Sequence, residues 1–187
     1  MARWDPGAPE RLRQAALDLF GEHGYDAVTV THIAERAGLT RRTFHRHFPD
    51  KREILFAGSE RLPAAVSEAV LAADPGLAPL PAALSALREV GAAVSGTVAD
   101  SGRRRAIIES STELLERERS KSAAITAALR DALQQRGAGP SEARLTARVA
   151  SIISEEAFGR WADGGGAFPE CFDAAEAALH AVLAGDA

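Results

Sequence analysis

Six side chains on one short stretch could do recognition chemistry: Arg41, Arg42, Thr43, His45, Arg46 and His47, spaced so that they point outward if residues 41 to 48 form a helix whose apolar positions are Phe44 and Phe48. Such a helix suits the DNA major groove, about 12 Å wide, where arginine matches guanine O6 and N7 and a threonine methyl matches that of thymine. The surroundings reinforce the charge. Residues 30 to 52 hold Arg36, Arg41, Arg42, Arg46, Lys51 and Arg52 against only Glu35 and Asp50, although the whole 187-residue chain carries a net charge of −4. Phosphate binding needs local rather than global positive charge, so one cationic surface on an acidic body is expected.

Other chemistries find less support. His45 and His47 lie two apart, where helical side chains diverge, and no cysteine is near, so no metal site is read there. Cys171 has no histidine beside it and reads as a small apolar filler near the start of the last helix. Gly164 to Gly166 lack the Gly-Lys-Ser or Gly-Lys-Thr of a phosphate loop and read as a joint. The run Glu116 to Lys121 reads as a solvated helix face, and Trp161 as core. Glu155, set with Glu156 between Ile153 and Phe158, is either exposed or turned inward to pair with a cationic ligand. No constellation of nucleophile, base and metal ligands can be assembled, so neither an enzyme nor a cofactor is expected.

The elements that must position the basic helix are themselves helices. Hairpin-turn dipeptides and alternating β-branched runs are nearly absent, and alanine and leucine recur at helical spacing. Leu12, Ala16, Leu19 and Phe20 make one stripe on a first helix between Pro9 and Gly24. Thr29 can cap a second helix with Val30, Ile33, Ala34 and Ala37 inward, Gly38 can end it at positive φ, and Thr40 can cap the basic third. A capped helix start also presents amides to an anion, so the capping and phosphate-contact roles of Thr29 and Thr40 are compatible. Two helices of about eight residues joined by Ala37-Gly38-Leu39-Thr40 and braced by the first form a three-helix unit containing a helix-turn-helix. Pro49 stops the third helix. Asp50 with Glu53 reads as a capping-box variant opening a fourth helix through Ile54 and Leu55 and onward, kinked or split at Pro63.

The longer helices follow. Leu80, Leu84, Leu87, Gly91, Val94 and Val98 form a bundle-facing seam. A short helix is expected over 103 to 110 and longer ones over 112 to 136, 141 to 162 and 168 to 184. The helix at 141 to 162 carries two apolar rows, Leu145, Val149 and Ile152 beside Ala150, Ile153, Ala157 and Trp161, which suits packing on two sides.

The stretch from Gly24 to Leu55, GYDAVTVTHIAERAGLTRRTFHRHFPDKREIL, resembles the DNA-binding signature of the TetR (tetracycline repressor) family of transcriptional regulators. The resemblance implies an all-α fold of nine or so helices, with a DNA-binding domain over residues 1 to 55 and an effector-binding and dimerisation domain over 56 to 187. By position, Thr29 resembles the threonine that caps the second helix near a phosphate, and Lys51 the lysine that binds backbone phosphate. Arg41, Arg42, Thr43 and Arg46 fall at the variable reading positions. His47 falls at a position near the backbone, and His45 stands where the family usually has tyrosine. The family dimerises through its last two long helices, which points to Leu145, Val149, Ile152, Phe172, Leu179 and Val182. A cavity in the bundle would draw on Leu62, Val66, Leu87, Ile125, Glu155 and Trp161, and the aliphatic composition favours an apolar or amphipathic effector.

The resulting expectation is a homodimeric repressor bound to a palindromic double-stranded operator and released by a small-molecule effector, with the fourth helix as the lever between DNA and bundle. The alternative is a dimeric interaction module whose helix-turn-helix docks protein, which the steep salt dependence of DNA binding would distinguish. The longest stretch without a charge, residues 75 to 87, holds three prolines and is too short to span a membrane. Residues 1 to 10 lack the apolar core of a secretion signal, and one cysteine forms no internal disulfide. A cytoplasmic setting without membrane attachment is therefore expected.

Overall fold

A computed structural model of the chain describes residues 7–98 and 100–185; most of the segment in which a secretion signal was sought, residues 1–6, lies outside them. The described residues form ten α-helices: α1 (Ala8–His23), α2 (Val30–Arg36), α3 (Arg41–His47), α4 (Glu53–Phe56), α5 (Leu62–Ala72), α6 (Pro79–Ser95), α7 (Ser101–Glu109), α8 (Thr112–Gln135), α9 (Pro140–Ala162) and α10 (Phe168–Ala184). Their residues divide into two compact units. The first holds residues 7–59 with 103–118, the second 60–98 and 100–102 with 119–185. The amino-terminal unit thus runs past the expected boundary at residue 55 and recruits a segment about fifty residues downstream.

In the first unit, the stripe of α1 buries Leu12, Ala16, Leu19 and Phe20 against Ile33 of α2 and Phe44 of α3. Phe44 and Phe48 are buried and their rings lie 5.6 Å apart, each contributing about 1.5 to 3 kcal/mol by leaving water. Ile107, Ile108 and Leu114 complete this core. Polar contacts hold the recruited segment in place. Arg104 Nε donates to the Leu55 carbonyl at 2.7 Å, and the Arg104 and Arg117 guanidiniums lie over the Phe56 ring at 5.3 and 5.0 Å. Arg117, expected on a solvated face, is instead bound to Glu53.

The fourth helix departs from expectation. Asp50 Oδ1 accepts the Glu53 amide at 2.9 Å, as a capping residue should, yet α4 lasts only four residues. Ala57 leaves the helical region, Gly58 adopts φ +89°, and a 3₁₀ turn over Ser59–Arg61 leads into α5. Pro63 lies in the first turn of α5, where its missing N–H costs nothing, so it starts a helix rather than kinking one. The expected fourth helix, kinked or split at Pro63, is therefore corrected to two helices whose break lies earlier, at residues 57–61.

In the second unit, α6 packs on α5 and α9, and α9 on α10. Alanine makes this close approach possible. Ala143, Ala147, Ala150, Ile153 and Ala157 form the buried face of α9, against Phe168, Phe172 and Ala175 of α10. Gly91 of α6 lies so close to Phe168 that a Cβ there would fall 2.3 Å from the ring. The second apolar row of α9 is not covered: Leu145 and Ile152 are 59% and 60% exposed. Val182 and Leu183 of α10 are exposed as well. Phe172, expected on a dimer seam, is fully buried in its own bundle and presents nothing to a second chain. No helix of the described residues is long and apolar enough to cross a membrane.

Candidate nucleic-acid interface

Three elements fix the position of the basic helix. Thr40 Oγ1 accepts the Thr43 amide at 3.1 Å, capping α3 at its start, and the two threonine hydroxyls also lie 3.1 Å apart. Gly38 at φ +67° ends α2, and the Leu39 amide reaches the Ala34 carbonyl at 2.8 Å, which folds the turn back on α2. Arg13 of α1 stacks over the Phe48 ring at 5.5 Å, bringing another cation to the end of α3.

On this scaffold α3 presents Arg41, Arg42, His45 and Arg46 to solvent, with Thr43 and His47 half-buried beside them. Arg41 and Arg42 hold no hydrogen bond or ion pair among the described residues, so both guanidiniums keep their full donor capacity. Arg46 Nη2 donates to His47 Nε2 at 3.4 Å, and His45 Nδ1 donates to the Pro49 carbonyl at 3.3 Å. The helix carries no acidic residue.

Thr29 caps α2 by accepting the His32 amide at 3.2 Å, while His32 Nδ1 accepts the Thr29 amide at 3.3 Å. This is a reciprocal capping box with histidine where glutamate or glutamine is usual, a role for His32 that the sequence reading missed. The signal was a residue able to accept a hydrogen bond three positions after the capping threonine. Arg36, at the other end of α2, is held by Glu22 through two bonds of 3.1 and 2.9 Å; the Arg36 guanidinium keeps the Glu22 carboxyl below its usual range.

Lys51 does not project freely. Its ammonium donates to the Tyr25 and Val28 carbonyls at 2.7 and 3.0 Å and sits 3.9 Å from the centre of the Tyr25 ring. Burial pushes its pKa down, opposed by Glu113 and Asp26. Tyr25 is buried in turn, with its hydroxyl donating to Glu113 at 3.3 Å; burial, and then that carboxylate, push its phenol pKa up.

The residues expected to line an effector cavity differ in exposure, although four of the six belong to one apolar cluster. Val66 and Leu87 are close-packed core, Ile125 and Trp161 pack partly buried against it, Leu62 is half-buried and Glu155 is exposed. None lines the groove of about 340 Å³ in the second unit, whose walls include Leu80, Leu84, Arg88, Phe172, Glu176 and His180. Arg88 on that wall is tied to Asp173 by two bonds of 2.9 Å. Among the described residues, no three His, Cys, Asp or Glu side chains are grouped to hold a metal.

The chain has relatives among known proteins. Residues 12–57 match the family described as bacterial regulatory proteins, tetR family. The chain is 36% identical over 81 residues to the HTH-type transcriptional regulator TcmR of Streptomyces glaucescens, a match covering 43% of this chain and 36% of that one. It is 39% identical over 54 residues to the class A tetracycline repressor from transposon 1721 of Escherichia coli, covering 29% and 25%. The chain therefore spans only about a quarter to a third of the length of these curated relatives. Among solved structures, the SmeT–triclosan complex, SmeT being a repressor from Stenotrophomonas maltophilia, superposes with a TM-score of 0.62 over 92% of this chain and 91% of that one at 16% identity. That likeness extends the shared all-helical fold to both units.

Proposed function

Proceeding from a chain whose residues 12–57 belong to the tetR family of bacterial regulatory proteins, we propose that it is a DNA-binding transcriptional regulator that acts as a homodimeric repressor. The observation that carries this reading is the exposed Arg41, Arg42 and Arg46 on a capped helix anchored by buried Phe44 and Phe48. Each protomer lays α3 in a major groove. Arg41, Arg42 and Arg46 read base edges, Thr43 offers its methyl, and the Thr29 and Thr40 hydroxyls with His45 and His47 set register on the backbone. Twofold symmetry makes the operator palindromic, with half-sites about one helical turn apart or somewhat more. The second chain covers Leu145, Ile152 and Val182 on α9 and α10, with Val149 and Leu179 beside them; that these large apolar residues include three more than half exposed supports this surface.

Release follows from linkage: an effector lowers operator affinity only if it binds better to a dimer whose reading helices are displaced. The aliphatic second unit favours an apolar or amphipathic effector. The experiment is selection of bound sequences from a random duplex pool by the purified chain at two salt concentrations. A recovered palindrome whose affinity falls steeply with salt is expected. Failure to enrich any sequence at low salt overturns the reading in favour of a protein-docking module.

A further inference from the structure

We propose that Lys51 serves DNA recognition as a positioning residue, clamping the turn Tyr25–Val28 and through it Thr29 and α2, instead of lying against a phosphate itself. The inference rests on the DNA-binding reading above and concerns how its site is held. An ammonium has three N–H donors. Two are already spent on the carbonyls of Tyr25 and Val28, at 2.7 and 3.0 Å, and the Tyr25 ring covers the cation at 3.9 Å. A phosphate would have to compete with two charge-assisted bonds and a cation–π contact at a half-buried side chain.

The two carbonyls are not arbitrary. Tyr25 and Val28 are the ends of a four-residue turn in which the Val28 amide also reaches the Tyr25 carbonyl at 3.4 Å, and both side chains are buried. Val28 is followed at once by Thr29, whose hydroxyl and amide form the capping box of α2 with His32. The end of α2 then receives the Leu39 amide on Ala34, the contact that seats α3. Without Lys51, the Val28 carbonyl loses a charged donor, and of the backbone bonds within the turn the 3.4 Å one remains, beside the buried Tyr25 and Val28 side chains and the Tyr25–Glu113 bond. The turn and the capping box that follows it would then loosen locally, while the buried contacts of α1 with Ile33 and Phe44 and the Glu22–Arg36 pair still hold α2 and α3 on α1.

The clamp and the direct contact make different predictions for Lys51→Met in the full-length protein, compared with wild type, Thr29→Ala and the double variant on the selected operator. The clamp requires an approximately tenfold loss of affinity with an unchanged slope of log affinity against log salt. It also requires faster amide exchange at residues 28 to 32 with unchanged exchange in α9 and α10, and no further loss from Thr29→Ala once Lys51 is gone. A slope lowered by about one per protomer, with exchange at residues 28 to 32 unchanged, overturns it. A measurement on the wild-type chain serves even if Lys51→Met does not fold. The Lys51 Nζ resonance is expected to stay in place when operator is added, and a scalar coupling from it to phosphorus overturns the clamp. The two readings fail separately: wild-type protein with no salt-dependent duplex affinity overturns the DNA reading and the clamp with it, whereas a bound operator with a lowered slope in Lys51→Met overturns the clamp alone.

Discussion

Arg117 holds Glu53 through two bonds, Nε to Oε1 at 2.7 Å and Nη2 to Oε2 at 3.1 Å, joining residues 64 positions apart in the chain. The pair is only 21% and 23% exposed, so it is screened less than a surface ion pair. It fastens the four-residue α4 to the start of α8 and lies two residues from Lys51. The Arg117 guanidinium holds the Glu53 carboxyl below its usual range.

Glu53→Gln should therefore destabilise the first unit by about 1 to 2 kcal/mol at neutral pH, read by amide exchange of core residues such as Phe20 and Ile33. The pH dependence has a definite sign. A carboxylate with a lowered folded pKa stabilises the fold fully above its ordinary value of 4.5, and that contribution is lost as pH falls through the folded value. Wild type and Glu53→Gln should thus differ most above pH 4.5 and converge at lower pH. A gap that stays constant down to acid unfolding would show that charge on Glu53 contributes nothing.

Arg42→Ala should cost on the order of 1 to 3 kcal/mol on the selected operator and relax preference at one base pair, because its guanidinium is exposed and unpaired within the described chain. Binding to random duplex should weaken much less. Equal loss on specific and random DNA, measured by titration at one salt concentration, would reassign Arg42 from base reading to the backbone.

These two predictions differ in how far the sequence led to them. The reading helix was legible because capping threonines, a turn glycine and paired phenylalanines obey local rules, and Thr29, Gly38, Thr40, Phe44 and Phe48 stand as those rules require. The Glu53–Arg117 pair and the recruitment of residues 103–118 were not, since neither follows from any periodicity: a charged run such as Glu116 to Lys121 has the same pattern solvated or paired. Pro63 was ambiguous for a related reason. Proline is tolerated in a first turn and disruptive in a middle one, and what decides between them is the break at Ala57 and Gly58. The position of Lys51 was visible in the sequence, but its use depends on two backbone carbonyls that carry no residue signature.

In the second unit, Gly91→Ala should destabilise by about 1 to 3 kcal/mol, because the added carbon would lie 2.3 Å from the buried Phe168 ring. Phe168 also meets Phe158 at 4.5 Å and Phe172 at 6.0 Å, so it has little room to retreat. Adding Phe168→Leu to Gly91→Ala should recover part of the loss, whereas Phe168→Leu alone should be destabilising. Additive losses in thermal unfolding would mean that the ring and the glycine do not constrain one another.

The apolar positions of α9 and α10 separate a surface from a core, and substitution by glutamate distinguishes the two. Leu145 and Ile152 are 59% and 60% exposed, so Leu145→Glu with Ile152→Glu should leave helicity and protomer stability within about 1 kcal/mol of wild type. Phe172 is fully buried among Phe168 and the alanines of α9, so Phe172→Glu should prevent folding of the bundle by burying an unpaired charge. If the exposed row is the dimer surface, the Leu145→Glu, Ile152→Glu variant should sediment as a folded monomer and lose operator affinity by far more than random-duplex affinity, because linking two reading helices makes the second half-site contact intramolecular. Each α3 keeps its own contacts in such a variant, so a single half-site should still be bound weakly. A variant that remains a dimer with wild-type operator affinity would place the interface elsewhere and leave Leu145 and Ile152 as solvent-facing residues.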